Sequence, residues 1–155
     1  MWYEPIFLAC NYGVIPAWLL LVFAPRWRWT HRLVHAGLIP LLFGAAYALV
    51  LFTVRDGSPE GSFLTLSGVV AIFESRQATA AAWIHYLIFD LFCGAWQVRD
   101  ARRLSIPHLA VVPCLALTLL FGPVGLLGYV LLRGALRRRW GFDEVAADAP
   151  SPTAA

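Results

Sequence analysis

Lysine is absent from the 155 residues, so all twelve basic side chains are arginine. Charged residues of both signs make up only 14% of the chain, and there are four histidines and three cysteines. Each scarcity excludes something. So few charges leave no soluble domain to carry a nucleic-acid-binding surface. Cys10, Cys93 and Cys114 are odd in number and all lie within apolar stretches, where cysteine acts as a small buried hydrophobe, so no disulfide framework is implied. Four histidines are too few for the histidine-rich centre of a membrane di-iron hydroxylase. The chain also has no Gly-rich phosphate loop, nucleophile elbow, Cys-x-x-Cys pair or paired catalytic carboxylate, which disfavours the soluble enzyme classes.

What is abundant is hydrocarbon: 60% of the residues are hydrophobic and 14% aromatic, with seven tryptophans. That composition belongs to an integral membrane protein. The apolar runs are continuous rather than alternating, which selects helices over barrel strands. A crossing of ~30 Å takes ~20 residues at 1.5 Å each, so the chain can supply about four. The expected architecture is all-α, one transmembrane helical domain over residues 1–140 with spans at about 6–24, 33–54, 78–98 and 107–132. A removable leader would need basic residues before its apolar core, but Met1-Trp-Tyr-Glu-Pro5 carries only an acid, so the first run reads as a retained span.

Trp27 and Trp29 alternate with Arg26, Arg28 and Arg32 after the first run, as in an interfacial belt. Phe63 to Gln77 is short for a crossing and reads as an interfacial segment between the second and third spans. Pro113 and the Phe121-Gly-Pro-Val-Gly125 break predict a kink or interruption in the last run. Residues 141–155 are small and polar and read as a disordered tail. With four crossings the arginines divide equally between the two sides, and the positive-inside count gives no orientation. Were Phe121–Gly125 instead to turn a re-entrant hairpin, ten would share one side against two on the other. Four crossings is the reading adopted.

Asp90 is the most informative residue, because a charged acid near the middle of a span costs roughly 2.5–3.5 kcal/mol even on lenient insertion scales. His85 lies ~7.5 Å away along the helix and ~140° around it, so each needs partners on other spans. His85 shares a stripe with Phe89, Phe92 and Trp96; Asp90 shares one with Trp83, Gly94 and Gln97. By depth, Tyr47 and either Asn11 or Tyr12 belong to the level of His85, and Thr118 to that of Asp90. Such layers are either a functional polar cluster or a structural lock between helices. The aromatic stripe either packs the core or lines a site for a long apolar ligand.

Arg99 and Asp100 read as headgroup anchors or as a polar entrance to the bundle. His31 and His35, at i and i+4, have a spacing that lets two imidazoles share one metal. No third ligand accompanies them, and a solvated interfacial histidine is the ordinary alternative. No metal is therefore assigned, and no cofactor is specified.

Ala82-Trp-Ile-His-Tyr-Leu-Ile-Phe-Asp-Leu-Phe-Cys-Gly-Ala-Trp96, followed by Arg99-Asp100 and Phe121-Gly-Pro-Val-Gly125, resembles the abscisic-acid-deficient-four-like membrane family, from about Pro16 to Leu132. The matching motif positions are Trp83, His85, Asp90, Arg99, Asp100, Gly122 and Pro123. Plant members of that family are chloroplast membrane proteins required for making neoxanthin from violaxanthin. The resemblance implies a role in carotenoid metabolism, as catalyst or as accessory. The chain begins almost directly with its first span, so a bacterial inner membrane is the expected location.

The reading that results is a membrane protein that binds an apolar polyene and assists its isomerisation or epoxide chemistry. His85 and Asp90 would supply acid and base; Trp83, Phe89, Trp96, Tyr47, Asn11, Tyr12 and Thr118 would contact the ligand. The expected partners are the bilayer, a carotenoid and a carotenoid enzyme, with no nucleic acid. The alternatives are a non-catalytic accessory subunit and a small proton-coupled transporter, the latter disfavoured by the lack of an internal repeat.

Overall fold

The computed structural model describes residues 1–141. Apart from Gly141, the tail expected at 141–155 lies outside the described residues. Within them the chain is all-helical: α1 (Glu4–Phe23), α2 (Arg28–Thr30), which runs on through a π-helical turn at His31–His35, α3 (Leu38–Phe52), α4 (Leu66–Phe73), α5 (Arg76–Arg103), α6 (His108–Phe121) and α7 (Pro123–Arg137). Glu4–Phe23, Arg28–Phe52 and Arg76–Arg103 are long and apolar enough to cross a bilayer.

Local chemistry sets several of the ends. Glu4 and Pro5 open α1, the acid favourably placed against the positive end of the helix dipole. Thr65 caps α4 by accepting from the Gly68 N–H at 3.1 Å. Ser75 caps α5 by accepting from the Ala78 N–H at 3.0 Å, while its hydroxyl donates to Asp56 at 2.7 Å. Arg102 and Arg103 close α5 at its negative end. The short α4 occupies the segment read as interfacial between the second and third spans.

α5 is the centre of the bundle. Its buried Leu91, Ala95 and Val98 join one core cluster with Val14, Trp18 and Leu21 of α1 and Val111 and Leu115 of α6, while Ala81 and Ile84 pack in a second with Cys10 of α1 and Val50 of α3. α1 runs parallel to α5, with Asn11 bonded to Trp83 and Trp18 lying over Gly94. α3 runs antiparallel, since Gln77 donates to the Val50 carbonyl at 2.9 Å at one end and His35 meets Arg99 at the other.

The last apolar stretch departs from the sequence expectation of a single crossing at 107–132. The chain turns back at Gly122, and α6 and α7 pack side by side as a hairpin. Thr118 lies against Gly125 and Cys114 beside Gly128, while Arg137 returns to donate to the Ser105 carbonyl, next to where α6 began. Two features make the turn. Gly122 adopts φ 46° and ψ −95°, a conformation closed to residues with a Cβ. Pro123 then starts α7 with its fixed φ, at the position where a missing N–H costs least. Arms of 14 and 15 residues reach only ~21–23 Å, short of the ~30 Å of a hydrocarbon core.

The hairpin therefore begins and ends at the C-terminal end of α5. That end carries Arg26, Arg28, Arg32, Arg99, Arg102, Arg103, Arg133, Arg137, Arg138 and Arg139; the other carries only Arg55 and Arg76. The even division expected from four crossings is replaced by the ten-to-two distribution of a re-entrant hairpin.

Candidate functional site

The side chains of α5 divide by direction, since successive residues diverge by about 100°. Toward α3, the exposed His85 ring stacks on Phe89, one helical turn on, with centroids 4.5 Å apart and planes 24° from parallel. Tyr47 of α3 meets the same ring edge-on at 5.6 Å. Sequence depth thus placed Tyr47 at the correct level. Farther along this face, Phe92 and Arg99 line a cavity of about 330 Å3 with His35 and Leu41.

Toward α1, the Trp83 indole donates to Asn11 Oδ1 at 2.9 Å. Asn11 accordingly bonds to Trp83 on the α1 side of the helix, a different face from that of His85, and Tyr12 is exposed. Trp83 also lines a groove of about 470 Å3 between α1, α4 and α5, whose walls include Tyr3, Phe7 and Phe73, with Glu4 and Arg76 at its polar end.

Asp90 points toward the hairpin tip. A Cβ added to Gly122 would stand 2.6 Å from its Oδ1, so the carboxyl lies against the backbone that starts α7. An acid there faces the positive end of a helix dipole at mid-span, which offsets part of its desolvation. Thr118 does not share this level. One turn below the tip, it accepts from Gln97 Nε2 at 2.8 Å and donates to the Cys114 carbonyl at 2.8 Å. Because α6 runs antiparallel to α5, residues before Gly122 meet α5 residues beyond Asp90. His85 and Asp90 are thus brought to different neighbours, α3 for the first and the hairpin tip for the second.

A buried ion pair joins α5 to α7. Asp100, 4% exposed, accepts from the Tyr129 hydroxyl at 2.6 Å and stands 3.5 Å from Nε of Arg133, itself 2% exposed. Trp96 completes the cluster, edge-on to Tyr129 at 5.4 Å with the Arg133 guanidinium 5.9 Å from its ring centroid. Arg103 reaches Asp100 from outside at 3.7 Å. Arg99 and Asp100, paired in the sequence reading as an entrance, diverge: Asp100 turns inward to α7, while Arg99 turns to His35, with 3.5 Å between Nη1 and Nδ1.

Sequence reasoning missed Tyr129 and Arg133, because a four-span reading leaves Arg133 as a headgroup anchor at a helix end. The available signal was the i, i+4, i+8 stripe Gly125, Tyr129, Arg133, all buried on one face of α7.

His31 and His35 lie on the π-helical turn with ring centroids 6.4 Å apart. No group of three or more His, Cys, Asp or Glu side chains able to hold a metal gathers among the described residues. The residue that meets His35 is the cationic Arg99, which opposes a bound cation.

A family model described as ABA DEFICIENT 4-like matches residues 5–129, a range that includes His85, Asp90, Asp100 and the hairpin tip. The chain is 26% identical over 147 residues to Protein ABA DEFICIENT 4, chloroplastic, of Arabidopsis thaliana. The match covers 87% of this chain and 63% of that protein, so the chain spans under two thirds of the length of this relative. No solved structure matches.

Proposed function

We propose, because this chain belongs to the ABA DEFICIENT 4-like family, that it is an integral membrane protein of carotenoid or related isoprenoid metabolism and that it binds an apolar polyene along α5. The observation that carries this reading is the aromatic face of α5 toward α3. His85, Phe89 and Phe92 are all exposed there, in an unbroken i, i+4, i+7 stripe, with Tyr47 against the first ring. Flat rings in a row suit a rigid conjugated chain, which loses little conformational entropy on binding.

Isomerisation or epoxide opening needs a proton delivered and another removed. His85 and Asp90 face different elements, so one ligand atom does not reach both. That separation favours binding, with any proton transfer left to a single group, and it equally supports the accessory reading in which the protein presents a polyene to a partner enzyme. The Arabidopsis relative is named as chloroplastic, which gives the bacterial inner membrane expected from the sequence no support.

The test is the pigment that copurifies from the native membrane, identified by absorption and mass. A bound polyene lost from Phe89→Ala and Phe92→Ala, with the folded yield unchanged, is the expected result. A colourless preparation that takes up no added carotenoid overturns the reading. Among pigment-retaining variants, loss of conversion in Asp90→Asn or His85→Phe separates catalyst from accessory.

A further inference from the structure

We propose that the arginine-rich end of the bundle contains a binding site for an anionic phosphate ester, in the cavity between the C-terminal ends of α1 and α5 and the start of α6. This cavity measures about 490 Å3 and is lined by Arg26, Arg102, Ser105 and His108 over a floor of Val98 and Ile106. No acid contributes to the lining. Neither Arg26 nor Arg102 has a hydrogen-bonding or ionic partner among the described residues.

The surrounding charge points the same way. Ten arginines lie at this end, and the one acid among its described residues is Asp100, already engaged by Arg133 and Tyr129. The cavity is thus cationic without an internal counter-ion. Its walls are also fixed rather than loose. His108 is held by a 2.9 Å bond between Nε2 and the Val22 carbonyl, and the Ser105 carbonyl accepts from Arg137. The ligand class follows from the donors: planar guanidinium groups match phosphate oxygens, the Ser105 hydroxyl can add a donor, and the first N–H groups of α6 begin at the rim. An apolar floor beneath such a rim suits a group that carries hydrocarbon. Two sources offer this chemistry, an anionic phospholipid headgroup at the bilayer surface and a soluble phosphate.

The full chain in detergent is mixed with phosphatidylglycerol, phosphatidylcholine or inorganic phosphate, then read by native mass spectrometry and by thermal unfolding. The expected result is retention of phosphatidylglycerol over phosphatidylcholine by roughly tenfold, the difference made by one charge-assisted contact. Arg26→Gln with Arg102→Gln should abolish that preference. Arg28→Gln with Arg32→Gln, at the same end but outside the cavity lining, should preserve it. Stabilisation by inorganic phosphate, lost in the first double variant, assigns the site to soluble phosphate; an effect of phosphatidylglycerol alone assigns it to the headgroup. Equal retention of both lipids by the unaltered chain, with no phosphate effect, overturns the proposal and requires no variant to fold. Equal losses in the two double variants also overturn it, since the effect is then general surface charge.

Discussion

The Tyr129 hydroxyl donates to Asp100 Oδ2 over 2.6 Å, tying the returning arm of the hairpin to the central helix. With Arg133 3.5 Å from the same oxygen, this contact fixes where α7 lies along α5. The hairpin is held at both ends, by this lock at the base and by Gly122 against Asp90 at the tip.

The lock should dominate the stability of the hairpin. Arg133→Met removes the buried cation and leaves Asp100 desolvated, a change that costs about 3–5 kcal/mol when one partner of a buried pair is lost. Tyr129→Phe should cost less, about 1–3 kcal/mol for a buried acceptor losing one donor. Combining Arg133→Met with Asp100→Leu should recover much of the loss, because no charge then remains buried. Thermal unfolding of the three variants in one detergent orders them; a double variant no better than Arg133→Met would show that packing, rather than charge, holds the base.

At the tip, Gly122→Ala should destabilise the fold for two separable reasons. The new Cβ would meet Asp90, and φ of 46° with ψ of −95° is strained for any residue with a Cβ. Adding Asp90→Ala relieves the contact and leaves the backbone strain. Partial rescue is therefore expected, and full rescue would mean that the backbone at 122 can relax.

Topology can be read by cysteine labelling in a background where Cys10, Cys93 and Cys114 are replaced. Cysteines at Ser105 and Trp140 flank the hairpin and should be labelled from the same side of the membrane, with Ser58→Cys labelled from the opposite side. By the positive-inside rule, the side shared by Ser105 and Trp140 is the one from which the protein is inserted. Opposite labelling of Ser105→Cys and Trp140→Cys would restore a crossing through 107–132.

The Trp83 to Asn11 bond offers a control for the aromatic face of α5. Asn11→Ala removes an exposed hydrogen bond between α1 and α5 and should cost at most about 0.5–1.5 kcal/mol. Because this bond faces away from α3, pigment retention should be unchanged. Loss of pigment in Asn11→Ala with normal folding would move the ligand to the groove beside Trp83.

Much of the site was legible where the signal was local. Asp90 is conspicuous in any apolar run, and depth counting matched Tyr47 to His85 because α3 and α5 are antiparallel helices of ordinary pitch. The same counting failed for Thr118, since it assumed that the last run continued across the bilayer. It also failed for Arg133, whose place at the end of an assumed span suggested solvent and headgroups. Both errors follow from one glycine.

The sequence by itself determined a helical membrane protein, the positions of its long apolar runs and the break at Gly122 and Pro123, because span length and helix interruption are properties of the chain read in one dimension. Only the tertiary structure decided what the chain does after that break. Its direction depends on the dihedrals of a single residue and on contacts made far away, at Asp90 and Asp100. From that one turn follow the gathering of ten arginines at one end, the burial of Arg133, and the separation of His85 and Asp90 onto different neighbours.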